Sequence, residues 1–238
     1  DERGKKQLWR QEKQEEMEQT LRELAALTAR EELEPERDEQ TLRSREALAR
    51  AGIHAVPFYK TVEFSPGLTE AECARLEAQL WRMGLLDALV AAREDIPRIR
   101  RDCPEFLDSL ILVEQEGSVP FPGLQVSEEL EDGIRREVLR ILKSIGADTG
   151  QEKGDAPGIH RPAAAAGKDG SFRHGLLAGM AGKEGEAEFV GRLARQRKKE
   201  RQIRSLKEQI REEENGLKMV GEEIEKLEKT LKTLEEEY

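Results

Sequence analysis

The sequence predicts an α+β protein in which a small domain caps an intramolecular antiparallel coiled coil. Two stretches, 1–50 and 186–238, have the composition and periodicity of long solvated helices. Between them, residues 51–185 mix strand-like alternation, helix caps and turn sequences. We therefore expect the chain to run out along one helix, fold into a domain and return along a second helix.

The C-terminal arm, 186–238, carries a heptad stripe of apolar residues at steps of three and four. Only Glu213 interrupts this stripe. A single helix would leave the whole ridge in water, so the stripe requires a partner helix. The apolar positions are Ile203, Leu206, Ile210, Leu217, Val220, Ile224, Leu227, Leu231 and Leu234.

The N-terminal arm, 1–50, is the expected partner. It is rich in Glu, Gln, Lys, Arg, Leu and Ala. Pro35 lacks a backbone N–H and predicts a break in the helix near residues 34–40. Apolar steps before the break fall at Met17, Leu21, Leu24 and Leu27.

Charge patterning predicts the register of the two arms. In an antiparallel pair, residues whose numbers add to about 236 would face each other. The acidic stretch 31–39 then lies opposite the basic stretch 192–204. At the far ends, opposite charges also meet. Those residues are Lys5, Lys6, Arg10 and Lys13 on one arm and Glu222, Glu223, Glu225 and Glu228 on the other.

The first half of the central domain predicts a strand followed by a helix. Residues 55–64 are rich in β-branched and aromatic side chains and alternate, which favours a strand. Thr69 and Glu72 form a capping-box pattern before a helix that reaches Trp81, and Gly84 is placed to end it. The stretch 85–92 is either a second short helix or a buried extension.

The second half predicts a helix, a mobile loop and a β-hairpin. Ser127 is placed to start a helix that ends near Gly146. Residues 147–158 are polar and Gly-containing, so we expect a mobile loop. The turn sequence 167–170 (GKDG) predicts the hairpin. The helix would bury Leu130, Ile134, Val138, Ile141 and Leu142.

Composition limits the classes of function. Charged residues make up 38% and apolar residues 37% of the chain, against about 25% and 45–50% in typical domains. The net charge of −10 argues against a globally basic nucleic-acid binder, so any DNA contact would be local.

No apolar run is long enough to span a membrane and no leader opens the chain. We expect a cytoplasmic protein without a membrane partner, excised from a longer chain, since it lacks an initial Met.

Motifs for catalysis, metals and cofactors are missing. Cys73 and Cys103 form no CxxC, and the GKDG stretch has Asp169 where a phosphate loop needs Ser or Thr. The three histidines are too far apart for a local metal motif, and no catalytic triad follows from their order. We expect no enzymatic activity, metal or cofactor in this fragment. The histidines are His54, His160 and His174.

A basic cluster at the base of the C-terminal arm is the candidate DNA contact. Seven basic side chains fall within thirteen residues and could neutralise phosphates without reading sequence. The alternative is pairing with the acidic stretch of the other arm. The cluster consists of Arg192, Arg195, Arg197, Lys198, Lys199, Arg201 and Arg204.

Two longer phrases of the sequence carry a family resemblance. They are 51–90 (AGIHAVPFYKTVEFSPGLTEAECARLEAQLWRMGLLDALV) and 170–206 (GSFRHGLLAGMAGKEGEAEFVGRLARQRKKERQIRSL). They resemble the hinge region of the JetC family, SMC-like ATPases of the Wadjet anti-plasmid defence system related to the MukB and MksB condensin subunits. The resemblance implies that two hinges dimerise, that the complex engages DNA, and that a nuclease subunit cleaves circular plasmids. It also implies kleisin and accessory subunits, with ATP and Mg at heads outside this piece.

We interpret the chain as such a homodimerisation hinge with two coiled-coil arms. The glycines of 175–182 are costly in a strand and often mark close approach of another backbone, although a mobile loop is the alternative. The other functional hypotheses are the hinge of a chromosome condensin of the MukB or MksB type, and a ligand-binding or enzymatic domain inserted in a stalk. We assign the dimer contact to Gly175, Leu176, Leu177, Gly179, Met180 and Gly182.

Overall fold

The computed structural model describes residues 2–117, 119–148, 162–182 and 185–236, without the side chains of 148 and 235. The loop predicted at 147–158 lies, from residue 149 onward, outside the described residues, and so does His160. The chain divides into two compact units. One contains Asp1–Leu33 and Gln196–Tyr238, and the other contains Glu34–Arg195.

The first unit is the antiparallel helix pair. Helix α1 (Glu2–Ala29) packs against helix α7 (Arg192–Glu236), and Lys6 Nζ lies 2.6 Å from Glu223 Oε2. The apolar stripe of α7 is on the contact face from Ile203 to Leu227, where Ile210 and Ile224 are buried, whereas Leu231 and Leu234 are exposed. The predicted antiparallel pairing is confirmed, as is the α+β class.

The predicted register was wrong by one heptad. Lys6 and Glu223, Thr20 and Gln209, and Arg30 and Lys199 are in contact, and each pair of numbers adds to 229, not to 236. A shift of seven residues keeps the same stripe at the contact. The alternating charges of both arms tolerate either register, so charge matching alone could not choose between them.

The buried face of α1 also differs from the prediction. Thr20 is buried, whereas Leu21 is 44% exposed. Met17, Leu24 and Leu27 lie on the contact face as expected. Both residues 20 and 21 fit a step of three or four from Met17, so the sequence spacing does not distinguish them.

The helix break falls around Pro35. Helix α1 ends at Ala29, and α2 (Glu39–Arg50) begins after Asp38, whose Oδ1 accepts a 2.7 Å hydrogen bond from Thr41 N. This side chain caps the N-terminus of α2. The structure groups α2 with the unit Glu34–Arg195.

The strand predicted at 55–64 is interrupted. It forms β1 (Ala55–Pro57), a helical turn α3 (Phe58–Thr61) and β2 (Val62–Phe64). The turn forms because Phe58 N and Tyr59 N donate to the carbonyls of Ala88 and Leu86, both at 2.9 Å. A continuous strand was therefore the wrong prediction.

Two small antiparallel sheets use the two halves of this segment. Strand β1 pairs with β3 (Leu89–Ala91), and β2 pairs with β4 (Leu124–Val126). The stretch 85–92 thus contains a buried strand, and its helical alternative was wrong. Between these elements, α4 (Glu70–Arg82) has the predicted capping box, and Gly84 follows it with φ 71°. A short helix α5 (Ile96–Asp102) was not predicted.

Helix α6 (Asp132–Ser144) begins five residues later than the Ser127 start we predicted. Ser127 follows β4 directly, and its backbone nitrogen donates to Thr61 O at 2.9 Å, so it extends the strand pairing and cannot cap a helix. Four of the five residues predicted for its apolar face, Ile134, Val138, Ile141 and Leu142, are buried, whereas Leu130 precedes the helix and is partly buried against the core.

A four-stranded sheet completes the domain. Strand β5 (Ile145–Asp148) is parallel to β6 (Ala164–Gly167), which forms the predicted hairpin with β7 (Ser171–His174). A further antiparallel strand, β8 (Leu177–Met180), lies at the edge. The core combines these elements through Phe58, Tyr59, Val62, Leu76, Leu80, Ile134, Val138, Ile141, Leu142 and Ala166.

Candidate dimerisation edge and basic cluster

The six residues assigned to the dimer contact lie together at the β8 edge. Strand β8 is hydrogen-bonded to β7 on one side and, within the part of the chain that the structure describes, is the last strand of its sheet. Leu176 is fully exposed, Leu177 is 62% exposed and Met180 is 65% exposed. An edge strand presents a row of backbone donors and acceptors. Here that row is combined with exposed apolar side chains.

The glycines of this edge have different local roles. Gly175 has φ 56°, and its backbone nitrogen donates to Ala163 O at 3.0 Å, so it forms the turn between β7 and β8. Gly179 lies against the Phe172 ring, where an added Cβ would approach ring carbons to 3.1 Å. Gly182 has open space around it.

The β6–β7 hairpin that carries this edge is firmly attached to α4. Gln79 Nε2 donates to the carbonyls of Gly167 (2.9 Å) and Ser171 (2.6 Å). His174 Nδ1 lies 2.8 Å from the carbonyl oxygen of Met83 at the end of α4. Because Gln79 is buried, these contacts hold the sheet against the helix, and β8 is presented on an ordered support.

Two residues of the basic cluster have structural roles. Arg195 is only 6% exposed: its Nη1 donates to Phe189 O at 2.9 Å, and its guanidinium lies 5.7 Å from the Tyr59 ring centroid. Lys199 Nζ donates to the carbonyls of Thr28 and Arg30 and so satisfies the C-terminal end of α1. Neither cation is directed outward as the DNA prediction requires.

The other members of the cluster lie on the surface of α7. Arg192 is exposed at the start of the helix. Further along, Arg197, Arg201 and Arg204 are exposed and Lys198 is half-buried.

The acidic stretch does not pair with this cluster at the three positions where its partners are described, one of which is Asp38 at the start of α2. Glu34 accepts from Lys60 Nζ at 2.6 Å and from Arg37 Nη1 at 2.5 Å, and Glu39 pairs with Arg43 four residues later. Partial burial favours the neutral acid, but the hydrogen bonds from Lys60 and Arg37 dominate and lower the pKa of Glu34 to about 2. Glu34 and Glu39 therefore pair with Lys60, Arg37 and Arg43, and not with the basic cluster.

Arg37 connects the acidic stretch to the domain. Its guanidinium makes a two-point contact with the Asp87 carboxylate, with Nε–Oδ2 at 2.7 Å and Nη2–Oδ1 at 2.8 Å. Burial opposes the charged form, but the hydrogen bonds that Arg37 donates to Asp87 and Glu34 raise the pKa of Arg37. Arg45 extends the network, since it donates to Asp87 and to Asp108.

Sequence reasoning missed Glu77, a structurally important carboxylate. It is buried on α4 and accepts from the backbone nitrogens of Glu188, Phe189 and Val190 at 2.8 to 3.0 Å. This binding fixes the segment that leads into α7. The sequence offered one indication that Glu77 is buried: it lies three residues before Leu80, on the apolar face of α4.

A cavity of about 610 Å³ lies between α4 and the β6–β7 turn. Three of its charged side chains already bind groups of the domain: Glu72 accepts from Thr69 N, Asp169 accepts from Ser171 N, and Arg75 donates to Lys168 O. Its apolar surface comes from Leu68, Leu76, Phe121, Pro122, Ala147 and Ala166.

Two kinds of feature do not occur in the part of the chain that the structure describes. No group of three or more His, Cys, Asp or Glu residues there could hold a metal ion. No helix there is both long and apolar enough to cross a membrane.

Comparison with known proteins finds no matching family model and no matching curated protein. Two solved structures are similar to the chain. The Pyrococcus furiosus Smc hinge domain with an extended coiled coil is 18% identical, with a TM-score of 0.35 over 99% of this chain and 88% of that chain. The asymmetric dimer of the Geobacillus stearothermophilus SMC hinge domain is 13% identical, with a TM-score of 0.37 over 97% and 96%. Both TM-scores are below 0.5, so neither comparison establishes a family or a function.

Proposed function

We propose that this chain is the dimerisation hinge of an SMC-like ATPase, together with the adjoining parts of its two arms. The observation that carries the proposal is the β8 edge, where the backbone pairs with no second strand among the described residues and Leu177 and Met180 are exposed. A second copy that adds its own strand there would satisfy the backbone groups and bury the apolar side chains. The antiparallel pair of α1 and α7 would then carry movements between this contact and the rest of the protein.

The test is the oligomeric state of the chain and of a β8 variant. Size-exclusion chromatography with light scattering should give a dimer at tens of micromolar. The double change Leu177→Asp and Met180→Asp should give a monomer with unchanged helix content. Leu107→Asp, at an equally exposed leucine elsewhere (59%), is the matched control and should remain dimeric. A wild-type monomer, or a dimer that tolerates both aspartates, would overturn the proposal.

We also propose that the surface of α7 formed by Arg197, Lys198, Arg201 and Arg204 contacts DNA without reading its sequence. These side chains fall within eight residues of one helix, and the three arginines are exposed. A row of cations on a helix can neutralise successive phosphates. Arg195 and Lys199 are excluded from this surface by the contacts described above.

For the parent protein, we propose a role in defence against plasmid DNA, with kleisin, accessory and nuclease partners in the cytoplasm. The support is the resemblance of 51–90 and 170–206 to the JetC family. In a host that carries the whole gene with its neighbours, plasmid transformation should be reduced. The Leu177→Asp and Met180→Asp variant should restore it. Unchanged plasmid uptake together with a chromosome segregation defect on deletion would favour a condensin of the MukB or MksB type.

A second candidate, a ligand-binding domain on a stalk, is favoured only by the cavity beside α4. Its volume is within the range of small-molecule sites. However, Glu72, Arg75 and Asp169 already bind backbone or hydroxyl groups of the domain. A thermal-shift screen of metabolites would support this candidate if a stabilising compound lost its effect in Ala166→Phe, which fills the cavity.

A further inference from the structure

A polar layer interrupts the apolar contact of α1 with α7. Glu213 Oε1 accepts from Gln209 Nε2 at 3.0 Å and lies 3.4 Å from Thr20 Oγ1. Gln209 Nε2 is also 3.3 Å from Thr20 Oγ1. Thr20 is buried, Glu213 is half-buried and Gln209 is exposed, so the layer runs from the inside of the helix contact to its rim.

The carboxylate of Glu213 is incompletely satisfied. Its Oε2 is buried and has no hydrogen-bond partner among the described residues. The contact face is apolar on both sides of it along α7, at Ile210 and Leu217. A buried polar atom without a partner weakens the helix pair. A role other than stabilisation of the helix pair must therefore account for the carboxylate of Glu213.

Two registers of the helix pair are compatible with its charges. In the observed register, Lys6 pairs with Glu223. A slip of one heptad, about 10.5 Å at 1.5 Å per residue, would bring Lys13 to Glu223 instead. Helix α1 does not continue into α2, because residues 30–38 between them are not helical. A rigid helical connection therefore does not fix the position of α1 along α7.

The polar layer distinguishes these registers. In the slipped pairing, Glu213 would lie opposite Glu23 and Leu24, and Thr20 would lie opposite Gly216. The carboxylate would keep Gln209, which lies four residues earlier on the same helix, but it would lose Thr20 and face a like charge or an apolar side chain, which is unfavourable in a partly buried site. The observed register is the one of the two that places Thr20 beside both Gln209 and Glu213.

We propose that Thr20, Gln209 and Glu213 act as a register lock, which holds α1 and α7 in a single alignment at the expense of stability. A single polar position in a coiled-coil seam is known to have this effect in general. The inference depends on the helix pair alone and not on the proposed dimerisation or DNA contact.

Crosslinking between paired cysteines reads the register directly. In the full chain with Cys73→Ala and Cys103→Ala, the pair Lys6→Cys and Glu223→Cys reports the observed register. The pair Lys13→Cys and Glu223→Cys reports the slipped one. A short bismaleimide joins the two thiols. In a mixture of ¹⁴N- and ¹⁵N-labelled chains, a crosslink between two chains carries mixed labels in mass spectrometry, so only crosslinks within one chain are counted.

With the native polar layer, the 6–223 pair should crosslink and the 13–223 pair should not. Glu213→Leu should raise the melting temperature and make both pairs crosslink. The matched control Glu212→Leu changes an exposed neighbour and should leave the pattern native. Thr20→Leu provides a second test if Glu213→Leu does not fold. Exclusive 6–223 crosslinking in the folded variants would overturn the register lock.

Discussion

The carboxylate of Glu77 accepts a 2.8 Å hydrogen bond from the backbone nitrogen of Phe189, 112 residues later in the chain. The same carboxylate also binds the nitrogens of Glu188 and Val190. A helix of the domain thereby holds the segment that leads into α7. Phe189 is further fixed by its ring, which stacks on Trp81 and meets Tyr59 edge to face.

Removal of this carboxylate should destabilise the domain strongly. In Glu77→Ala, three buried backbone nitrogens lose their acceptor. We expect the free energy of unfolding to fall by about 3 kcal/mol or more, because three donors lose their acceptor and each one left unpaired costs about 1–3 kcal/mol. Urea denaturation followed by circular dichroism measures the change. Glu129→Ala, at an exposed glutamate, should change stability little, and equal stability of the two variants would contradict the anchoring role.

Acid should weaken the contact of Glu34 with Lys60 and Arg37. Burial opposes ionisation, but these two partners lower the pKa of Glu34 from 4.5 to about 2. A lowered acid pKa stabilises the folded state fully above the unfolded value, and the effect is lost as pH falls from about 4.5 through 2. Melting temperatures of the wild type and Glu34→Gln should therefore differ at pH 6 and converge near pH 2. A difference that is independent of pH would exclude this assignment.

Local patterns predicted the helices of the domain better than they predicted its strands. The capping box of Thr69 and Glu72 needs only residues three apart, so the start of α4 was correct. The interruption at Phe58 depends on carbonyl groups about thirty residues later, at Ala88 and Leu86. An alternating pattern has no information about such distant acceptors, and it therefore predicted one continuous strand.

The same limit explains the errors in the arms and in the candidate site. The heptad stripe predicted the contact face of α7, but a slip of seven residues leaves the stripe unchanged, so the register depends on single contacts such as that of Thr20 with Glu213. In the basic cluster, a count of charges cannot show that Arg195 is buried against Tyr59. That burial requires the fold of residues far from it in sequence.

The turn at Gly175 should require glycine, whereas Gly182 should not. Gly175 has φ 56° with open space around its Cα, so an alanine there meets only the backbone penalty. We expect Gly175→Ala to lower the free energy of unfolding by about 1–2 kcal/mol. Gly182→Ala also meets open space, but φ there is not positive, so it is a matched control with little expected effect. Urea midpoints of the two variants provide the test, and equal midpoints would exclude a turn requirement.

Charge reversal on the surface of α7 should weaken DNA binding uniformly across sequences. For Arg201→Glu with Arg204→Glu, we expect lower affinity for all duplexes and a shallower dependence of log affinity on log salt, by about 1 for each phosphate that the variant no longer neutralises. Fluorescence anisotropy at 50 to 200 mM salt measures both quantities. Lys229→Glu with Lys232→Glu makes the same change in net charge further along α7, so it controls for bulk electrostatics. If both double variants weaken binding equally, the contact is not local to this surface, and if neither does, DNA does not bind there.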